Sequence, residues 1–519
     1  MNKYAQMAGR LVIGRLPGLV LDAEHKQALQ AGTLGGITLF KENARDLKQL
    51  ANLTNDILNA SFHAPVLTVD QEGGAVQRFD HVLSPLPSPM ALAAGNDKEQ
   101  TRAITEISCR QLKALGFNLL LAPTLDLLTN PLNPVIGTRA FSSDLELSAR
   151  MGAQVISVIE NSGLIACPKH FPGHGSTSQD SHLELAIVNK SRPQLVEYDL
   201  APFAKNIASM RTILIGHIWL PQLEEKKPAT LSPLVVTEIL RNELNFDGLA
   251  ISDDMTMKAI TRAYGLGEAC VMAVEAGVDL ILVCGTFAES LQAVQAIAAA
   301  MESGRLSDKR VSQAMARLNK LFQGKPESLN PATEPQGLEL LQKQIETDTL
   351  ISTRFSATAP ALLQGNLSQA DNWLVLAPEH ARYKLPLANY LSDHLPGVQG
   401  LRYSMNLDET EIENLAGQCA SRNVVLVTFR SFINSAQARL AEQIGNNMDK
   451  EHQFIHVAAD TPYDLLKMPA SITASLAAFD PSDQAMAGIA EIIAGKSKAR
   501  GVCPVNLQLD LAAISHIIE

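Results

Sequence analysis

The chain lacks three features that would mark a protein that binds nucleic acid, spans a membrane or is exported. Acidic residues outnumber basic ones by 54 to 43, so the formal charge is -11 and no excess of Lys and Arg is available for nucleic acid or an anionic membrane. Runs of about 18 apolar residues are absent, and the first residues contain no apolar segment followed by a small-residue cleavage site. We therefore expect a cytoplasmic protein that binds neither nucleic acid nor membrane.

Cysteines are also few, and aromatic residues make up only 5% of the chain. The six cysteines form no CxxC pair and several lie in apolar segments, which indicates reduced, buried thiols in a cytoplasmic protein. Apolar residues nevertheless account for 46% of the 519 residues, which is enough for large cores. At this length we expect two domains.

Eight short apolar runs recur in the first two thirds of the chain, and segments with helical spacing separate most of them. The runs begin at Leu11, Gly36, Val66, Asn118, Leu164, Thr212, Leu249 and Leu280. Strands without polar alternation that are separated by helices indicate a parallel sheet covered on both faces. Eight repeats favour an α/β fold of the (β/α)8 TIM-like barrel type over an open sheet.

Turn and breaker residues are concentrated in residues 324–337, GKPESLNPATEPQG. We predict a TIM-barrel catalytic domain over 1–325, a linker over 326–342 and a smaller open α/β sandwich domain over 343–519. In that last part apolar runs from Asn372, Asn423 and Gln453 alternate with helical patterns. It contains neither a GxGxxG nor a Walker pattern, and so nothing predicts a nucleotide site there.

Polar side chains directly follow the predicted barrel strands. They are Asp70, Asp126, Lys169, His170, His217, Asp253 and Asp254. Because barrel enzymes carry their chemistry at the C-terminal ends of the strands, we expect these side chains to meet at one mouth.

Residues 169–182, KHFPGHGSTSQDSH, form the segment richest in chemistry. Its histidines could hold a metal, but Pro172 and the neighbouring glycines prevent a helix that would pair them, so only a catalytic metal on loops stays open as an alternative. A phosphate cradle is not indicated, since PGHG is not followed by GK[ST]. Asp180 and His182 fit proton transfer better, because a carboxylate can fix the imidazole tautomer and raise its basicity.

Two further groups of charged residues belong to the predicted mouth. A carboxylate at the end of a strand, such as Asp253 in LAISDD, could attack an electrophilic carbon or merely cap the next turn. In DQEGGAVQR and GTRAF, Asp70, Arg78 and Arg139 combine acceptors and donors as a saccharide subsite would, although each residue alone could equally form a surface salt bridge.

Together these motifs resemble those of bacterial glycoside hydrolase family 3, in the β-N-acetylglucosaminidase group. The matching segments are DQEGGAVQR, GTRAF, KHFPGHG, DSH and SDDM, at residues 70–78, 137–141, 169–175, 180–182 and 252–255. The resemblance covers residues 1 to about 325 and extends more loosely to the second domain. The DSH motif after KHFPGHG distinguishes this group from β-glucosidases of the same family.

The resemblance implies a role for each matching residue. Asp253 is the expected nucleophile, with Asp254 as its rival, and Asp180 with His182 is the expected acid/base pair. The residues expected to bind the terminal sugar are Asp70, Arg78, Arg139, Lys169 and His170.

The implied enzyme is a retaining exo-β-N-acetylglucosaminidase that acts on peptidoglycan fragments or chito-oligosaccharides. It requires no metal and no cofactor, binds a small saccharide as its partner, and acts as a monomer or homodimer. A phosphorylase using the same site stays an alternative, because a deprotonated histidine is neutral and lets phosphate approach. A metal-dependent barrel hydrolase is the other alternative.

Overall fold

The computed structural model describes residues 3–178, 185–224, 227–322 and 332–508. Its first part contains eight parallel strands at the eight positions that the apolar runs predict. Numbered in chain order, they are β1 (Val12–Arg15), β2 (Gly36–Leu39), β3 (Val66–Val69), β6 (Leu119–Leu120), β7 (Ile165–Ala166), β9 (Thr212–Ile215), β11 (Leu249–Asp254) and β12 (Leu280–Leu282). Two small accessory sheets are formed by β4 (Gln71–Gly73) with β5 (Val76–Gln77) and by β8 (Ala186–Ile187) with β10 (Ile218–Trp219).

The eight strands form a nearly closed barrel in the order β7-β6-β3-β2-β1-β12-β11-β9. Closure between the two end strands comes from the backbone beyond β7, where Phe171 pairs with Ile215 and donates to the carbonyl of Leu214 at 2.9 Å. The strands are apolar and almost fully buried, as expected for a sheet covered on both faces. The predicted barrel is therefore confirmed.

Helices surround the barrel and follow most of its strands. They are α1 (Lys3–Arg10), α2 (Ala23–Ala31), α3 (Leu47–Ala60), α4 (Pro89–Gly95), α5 (Lys98–Ala114), α6 (Leu145–Asn161), α7 (Arg192–Gln194), α8 (Ala201–Asn206), α9 (Lys258–Tyr264), α10 (Leu266–Ala276), α11 (Phe287–Glu302) and α12 (Asp308–Leu321). A wider helical segment, Leu234–Glu243, lies between β9 and β11. Many begin at an aspartate or a hydroxyl residue that accepts a backbone N–H; Asp46 caps α3 and Thr286 caps α11 in this way. As predicted from GEACVMAVEAG, α10 ends at Gly277, whose φ of 116° suits glycine.

The second part is an open sheet between helices. Its strands are β13 (Ala361–Gly365), β14 (Trp373–Pro378), β15 (Gln399–Tyr403), β16 (Asn423–Thr428), β17 (Phe454–Ala458) and β18 (Ala474–Ala477). Its helices are α13 (Pro335–Thr358), α14 (Leu387–Ser392), α15 (Glu409–Gly417), α16 (Ser435–Asn447) and α17 (Asp483–Ile493). The strand order is β13-β18-β17-β16-β14-β15, and only β13 is antiparallel to its neighbour. Separate apolar clusters cover the two faces of this sheet.

The long helix α13 joins the two parts. Its residues Leu341, Ile345 and Phe355 belong to the same apolar cluster as the barrel. On the barrel side, Arg110 of α5 donates to the buried carboxylate of Asp348 at 2.9 Å. Of the predicted linker, residues 326–331 lie outside the described residues and residues 335–342 lie in α13. The proposed domain limits stay a prediction.

The sequence did not reveal every element of the second part. Three of its strands, β13, β15 and β18, were not predicted. The first two are edge strands with exposed polar residues, and β18 is the alanine-rich ASLA, so none resembles the long apolar runs of β14 and β16.

Two general expectations can also be compared with the structure. The six cysteines form no disulfide, and four of them are buried. Within the described ranges, no helix is long and apolar enough to cross a bilayer.

Candidate active site

A cavity of about 470 Å³ lies at the C-terminal ends of the barrel strands. Six of the eight predicted site residues line it, namely Asp70, Arg78, Arg139, Lys169, His170 and Asp253. The other two, Asp180 and His182, lie outside the described residues. The structure thus brings together side chains from four separate segments of the barrel.

Lys169 connects the segment after β7 with the segment after β3. Its Nζ lies 2.6 Å from Asp70 Oδ1 and 2.5 Å from Glu72 Oε1. The other oxygen of Asp70 accepts from Arg78 Nη2 at 2.9 Å. Burial alone would raise the pKa of Asp70, but the charges of Lys169 and Arg78 hold it well below its usual range. The carboxylate is therefore ionised and held in one orientation beside the cavity.

Glu72 holds two cations of the site without forming part of the cavity wall. Its side chain is fully buried, and its two oxygens accept from Nε and Nη2 of Arg139 at 2.9 Å each. Such a bidentate pair fixes the plane of the guanidinium. Burial would raise the pKa of Glu72, but Arg139 and Lys169 lower it to about 2. Glu72 therefore orients Arg139 and Lys169 together.

His170 is oriented by a guanidinium at one ring nitrogen and by a carboxylate at the other. Its Nε2 lies 3.2 Å from Arg139 Nη2, and its Nδ1 lies 2.7 Å from Asp126 Oδ2. Because a guanidinium can only donate, Nε2 accepts and Nδ1 carries the proton that is donated to Asp126. Burial would raise the pKa of Asp126, but its interactions with the His170 ring and the hydrogen bond from the His174 backbone N–H lower it. The ring is thereby fixed in a single tautomer.

His174 stabilises the turn that follows His170. Its Nδ1 lies 2.8 Å from Thr177 Oγ1, and its backbone N–H donates to Asp126 at 2.6 Å. Its ring also lines the cavity, with its centroid 5.9 Å from that of His170, which the sequence did not suggest. Burial lowers the pKa of His174 to about 4, so the ring is neutral at pH 7.

Asp253 and Asp254, the two rivals for the role of nucleophile, end β11 in different surroundings. The carboxylate of Asp254 accepts the backbone N–H groups of Thr256 and Cys284 at 2.9 Å each, and also the Thr256 hydroxyl. Among the described residues, the carboxylate of Asp253 accepts one hydrogen bond, from the backbone N–H of Asp254 at 2.8 Å. Asp254 thus caps a turn, whereas Asp253 has oxygen lone pairs available to a ligand.

The charges around Asp253 favour its ionised form. Burial would raise the pKa of this carboxyl group, but its electrostatic interactions with His217 and His170 and the hydrogen bond from the N–H of Asp254 together lower it. His217 is itself held by the carbonyl oxygen of Asp254, 2.9 Å from Nε2. A carboxylate that is ionised, half-buried and sparsely hydrogen-bonded can act as a nucleophile.

Within the part of the chain that the structure describes, no three His, Cys, Asp or Glu side chains are arranged to hold a metal ion.

Comparison with known proteins shows the family of the chain. Residues 3–321 match the glycosyl hydrolase family 3 N-terminal domain. A β-hexosaminidase of Idiomarina loihiensis is 34% identical over 285 residues, which are 54% of this chain and 86% of that protein. The solved structure of a glycoside hydrolase family 3 β-N-acetylglucosaminidase from Paenibacillus sp. has 30% identity and a TM-score of 0.86, and the match covers 98% of this chain and 99% of that one. The chain belongs to glycoside hydrolase family 3.

This family 3 chain is a glycoside hydrolase, and its second part also has counterparts in relatives. β-Hexosaminidase A of Pseudoalteromonas piscicida is 26% identical over 559 aligned positions, which cover 94% of this chain and 91% of that protein. Barrel and second part therefore occur together elsewhere.

Several residues of the family 3 site were missing from the predicted set. Glu72 had a usable signal, because it follows Asp70 by two positions and so faces the same side of an extended segment. Asp126 was expected at the mouth of the barrel, but no role was assigned to it. Arg15 lines the cavity with its guanidinium 4.8 Å from the ring of Phe40. No comparable signal marked Arg382, which reaches the cavity from the second part of the chain.

Proposed function

We propose that this family 3 enzyme is a retaining exo-β-N-acetylglucosaminidase that releases a terminal β-linked N-acetylglucosamine. The observation that carries the proposal is the contrast between Asp253, available in the cavity, and Asp254, which caps a turn. The similarity to the β-hexosaminidase of Idiomarina loihiensis and to the β-N-acetylglucosaminidase of Paenibacillus sp. supports the choice of sugar.

The proposed sugar subsite consists of Asp70, Arg78, Arg139, Lys169 and His170. Each of these side chains is already fixed by an oppositely charged or hydrogen-bonding neighbour, so little conformational entropy is lost when a sugar binds. Asp70 can accept from sugar hydroxyls, and the three cations can donate to sugar oxygens. Charged donors and acceptors that surround one pyranose suit an enzyme that binds the terminal sugar of its substrate.

The proposed reaction has two steps. First, an oxygen of Asp253 forms a bond to the anomeric carbon while the bond to the leaving oxygen breaks, and His182 gives its proton to that oxygen. Then His182 takes a proton from water, the water oxygen bonds to the anomeric carbon, and the Asp253 carboxylate leaves. Asp180 supports His182 by hydrogen bonding. The roles of Asp180 and His182 are proposed from the DSH motif alone.

The natural substrate in this proposal is a peptidoglycan fragment or a chito-oligosaccharide. We propose that the enzyme works without metal or cofactor, as a monomer or homodimer in the cytoplasm. Turnover that survives a chelator is the expected result, and its loss would favour the metal-dependent alternative. Formation of N-acetylglucosamine 1-phosphate on addition of phosphate would indicate the phosphorylase.

Covalent trapping tests the nucleophile and the sugar specificity together. A fluorinated N-acetylglucosaminyl fluoride that hydrolyses slowly from the enzyme is expected to add one sugar mass to the peptide that contains Asp253. Labelling should disappear in Asp253→Asn and persist in Asp254→Asn. Wild-type enzyme should cleave 4-nitrophenyl N-acetyl-β-glucosaminide but not the β-glucoside. A label on Asp254, or a first product that NMR identifies as the α-anomer, would contradict the mechanism.

A further inference from the structure

The second part of the chain makes direct hydrogen bonds to the segment that carries Arg139. Arg430, which follows β16, donates from Nη1 to the carbonyl of Pro134 at 2.8 Å. Its Nε donates to Asp460 Oδ2 at 2.5 Å, and Asp460 follows β17. The other oxygen of Asp460 accepts from Thr138 Oγ1 at 3.2 Å. One buried carboxylate therefore connects the two parts of the chain.

This connection reaches the wall of the active site. Pro134, Val135 and Arg139 all line the cavity, and all belong to the segment that Arg430 and Asp460 hold. Asp460 is 1% exposed, so its bonds to Arg430 and Thr138 are shielded from water.

The backbone of the same segment closely approaches Arg430. Gly137 has a φ of 45°, and a Cβ added there would lie 3.3 Å from Arg430 Nη2. A side chain at this position would strain the left-handed backbone and crowd the Arg430 guanidinium, so glycine suits the position. The turn before Arg139 therefore packs against the second part of the chain as well as against the barrel.

We propose that Asp460 is a positioning residue for substrate binding. Together with Arg430 it fixes residues 134–139, so that Arg139 points at the cavity while it pairs with Glu72. Asp460 touches no substrate and acts through Thr138 and Arg139. This inference rests on the proposed function, because it takes Arg139 as a residue that binds the sugar.

The test separates positioning from mere support of the fold. Thr138→Val removes the hydroxyl that donates a hydrogen bond to Asp460 but keeps the shape of the side chain. Thr138→Ser keeps the hydroxyl. With 4-nitrophenyl N-acetyl-β-glucosaminide, we expect Asp460→Ala and Thr138→Val to raise KM by about tenfold, with kcat changed by less than about twofold. Thr138→Ser should restore the wild-type KM.

A matched control is Asp464→Asn. Asp464 is also buried in the second part, but it accepts hydrogen bonds from the Thr428 hydroxyl and the Phe432 backbone N–H, which belong to that same part. This variant should lower the thermal midpoint without raising KM.

Three results would overturn the inference. They are an unchanged KM in Asp460→Ala, a Thr138→Ser enzyme as impaired as Thr138→Val, or a KM raised equally by Asp464→Asn. Wild-type turnover is the reference for all variants. An inactive wild type overturns the proposed function and this inference with it, whereas an active wild type with unchanged KM in Asp460→Ala overturns this inference alone.

Discussion

The Lys169 ammonium lies 2.6 Å from an oxygen of Asp70, although the two residues are 99 positions apart in the chain. The Lys169 side chain is only 3% exposed, so its charge depends on the carboxylates around it rather than on water. The pair links the ends of two barrel strands, and it places a cation and an anion side by side in the wall of the cavity.

Removing the charge of Lys169 is expected to destabilise the barrel. Lys169→Met leaves Asp70 and Glu72 buried without their shared cation, which costs about 3–5 kcal/mol in the free energy of unfolding. Chemical denaturation measures the difference. Lys343→Ala is the control, because its pair with Glu339 is 67% exposed on both sides and contributes about 1 kcal/mol or less. Equal losses in the two variants would contradict the prediction.

Replacing the proposed nucleophile should nearly abolish turnover. Asp253→Asn keeps the size of the side chain but removes the attacking charge, so we expect kcat to fall by at least about a thousandfold. Steady-state kinetics on an aryl N-acetyl-β-glucosaminide measures the loss. Asp254→Asn weakens only the cap of the following turn and should cost much less. A larger loss for Asp254 would reverse the two assignments.

Asp480 should make the stability of the protein depend on pH. It is fully buried between the two parts of the chain and accepts the N–H of Ser88 at 3.0 Å. Burial raises its pKa from 3.8 to about 7. Because the folded-state pKa is the higher one, the stability that this group contributes is present below about pH 4 and is lost as the pH rises through 7.

Asp480→Asn does not titrate, and it resembles the protonated carboxyl group. As the pH rises from 4 to 7, the free energy of unfolding of the wild type should therefore fall relative to that of the variant, by at most about 1.4 kcal/mol per pH unit. Unfolding of both proteins at pH 5 and pH 7 measures this. Parallel pH profiles would show that Asp480 does not titrate in this window.

A chain that ends at Phe322 tests whether the barrel is an independent domain. Removal of α13 exposes the barrel surface that Leu341, Ile345 and Phe355 cover, and it leaves Arg110 without Asp348. We expect a lower thermal midpoint and more aggregation than for the full chain. An unchanged midpoint would support the predicted division near residue 325. Comparing KM for the two chains would also show how much the second part contributes to binding.

The sequence was most informative where a pattern repeats. The eight apolar runs predicted all eight barrel strands, because buried parallel strands need continuous apolar residues. Strand β18 is buried as well, but its sequence ASLA is short and built from small residues, so no long apolar run marked it and it was missed. Among the site residues, strand ends and a family resemblance brought Asp70, Lys169 and Asp253 into one predicted mouth, and the structure places all three around one cavity.

The sequence alone could not rank Asp253 against Asp254 on physical grounds, since both are carboxylates at the same strand end. Their difference depends on which one receives the N–H groups of Thr256 and Cys284, and the loop folding around β11 and β12 decides that.

Composition and local pattern by themselves determined the class of fold, the barrel strands and several of the charged residues at the barrel mouth, because burial and strand periodicity are properties of short segments. Only the tertiary structure decided that Glu72 pairs with both Arg139 and Lys169, and that Asp460 holds the turn before Arg139. These contacts join residues up to 322 positions apart. Such contacts depend on how the whole chain packs, and no local pattern encodes them.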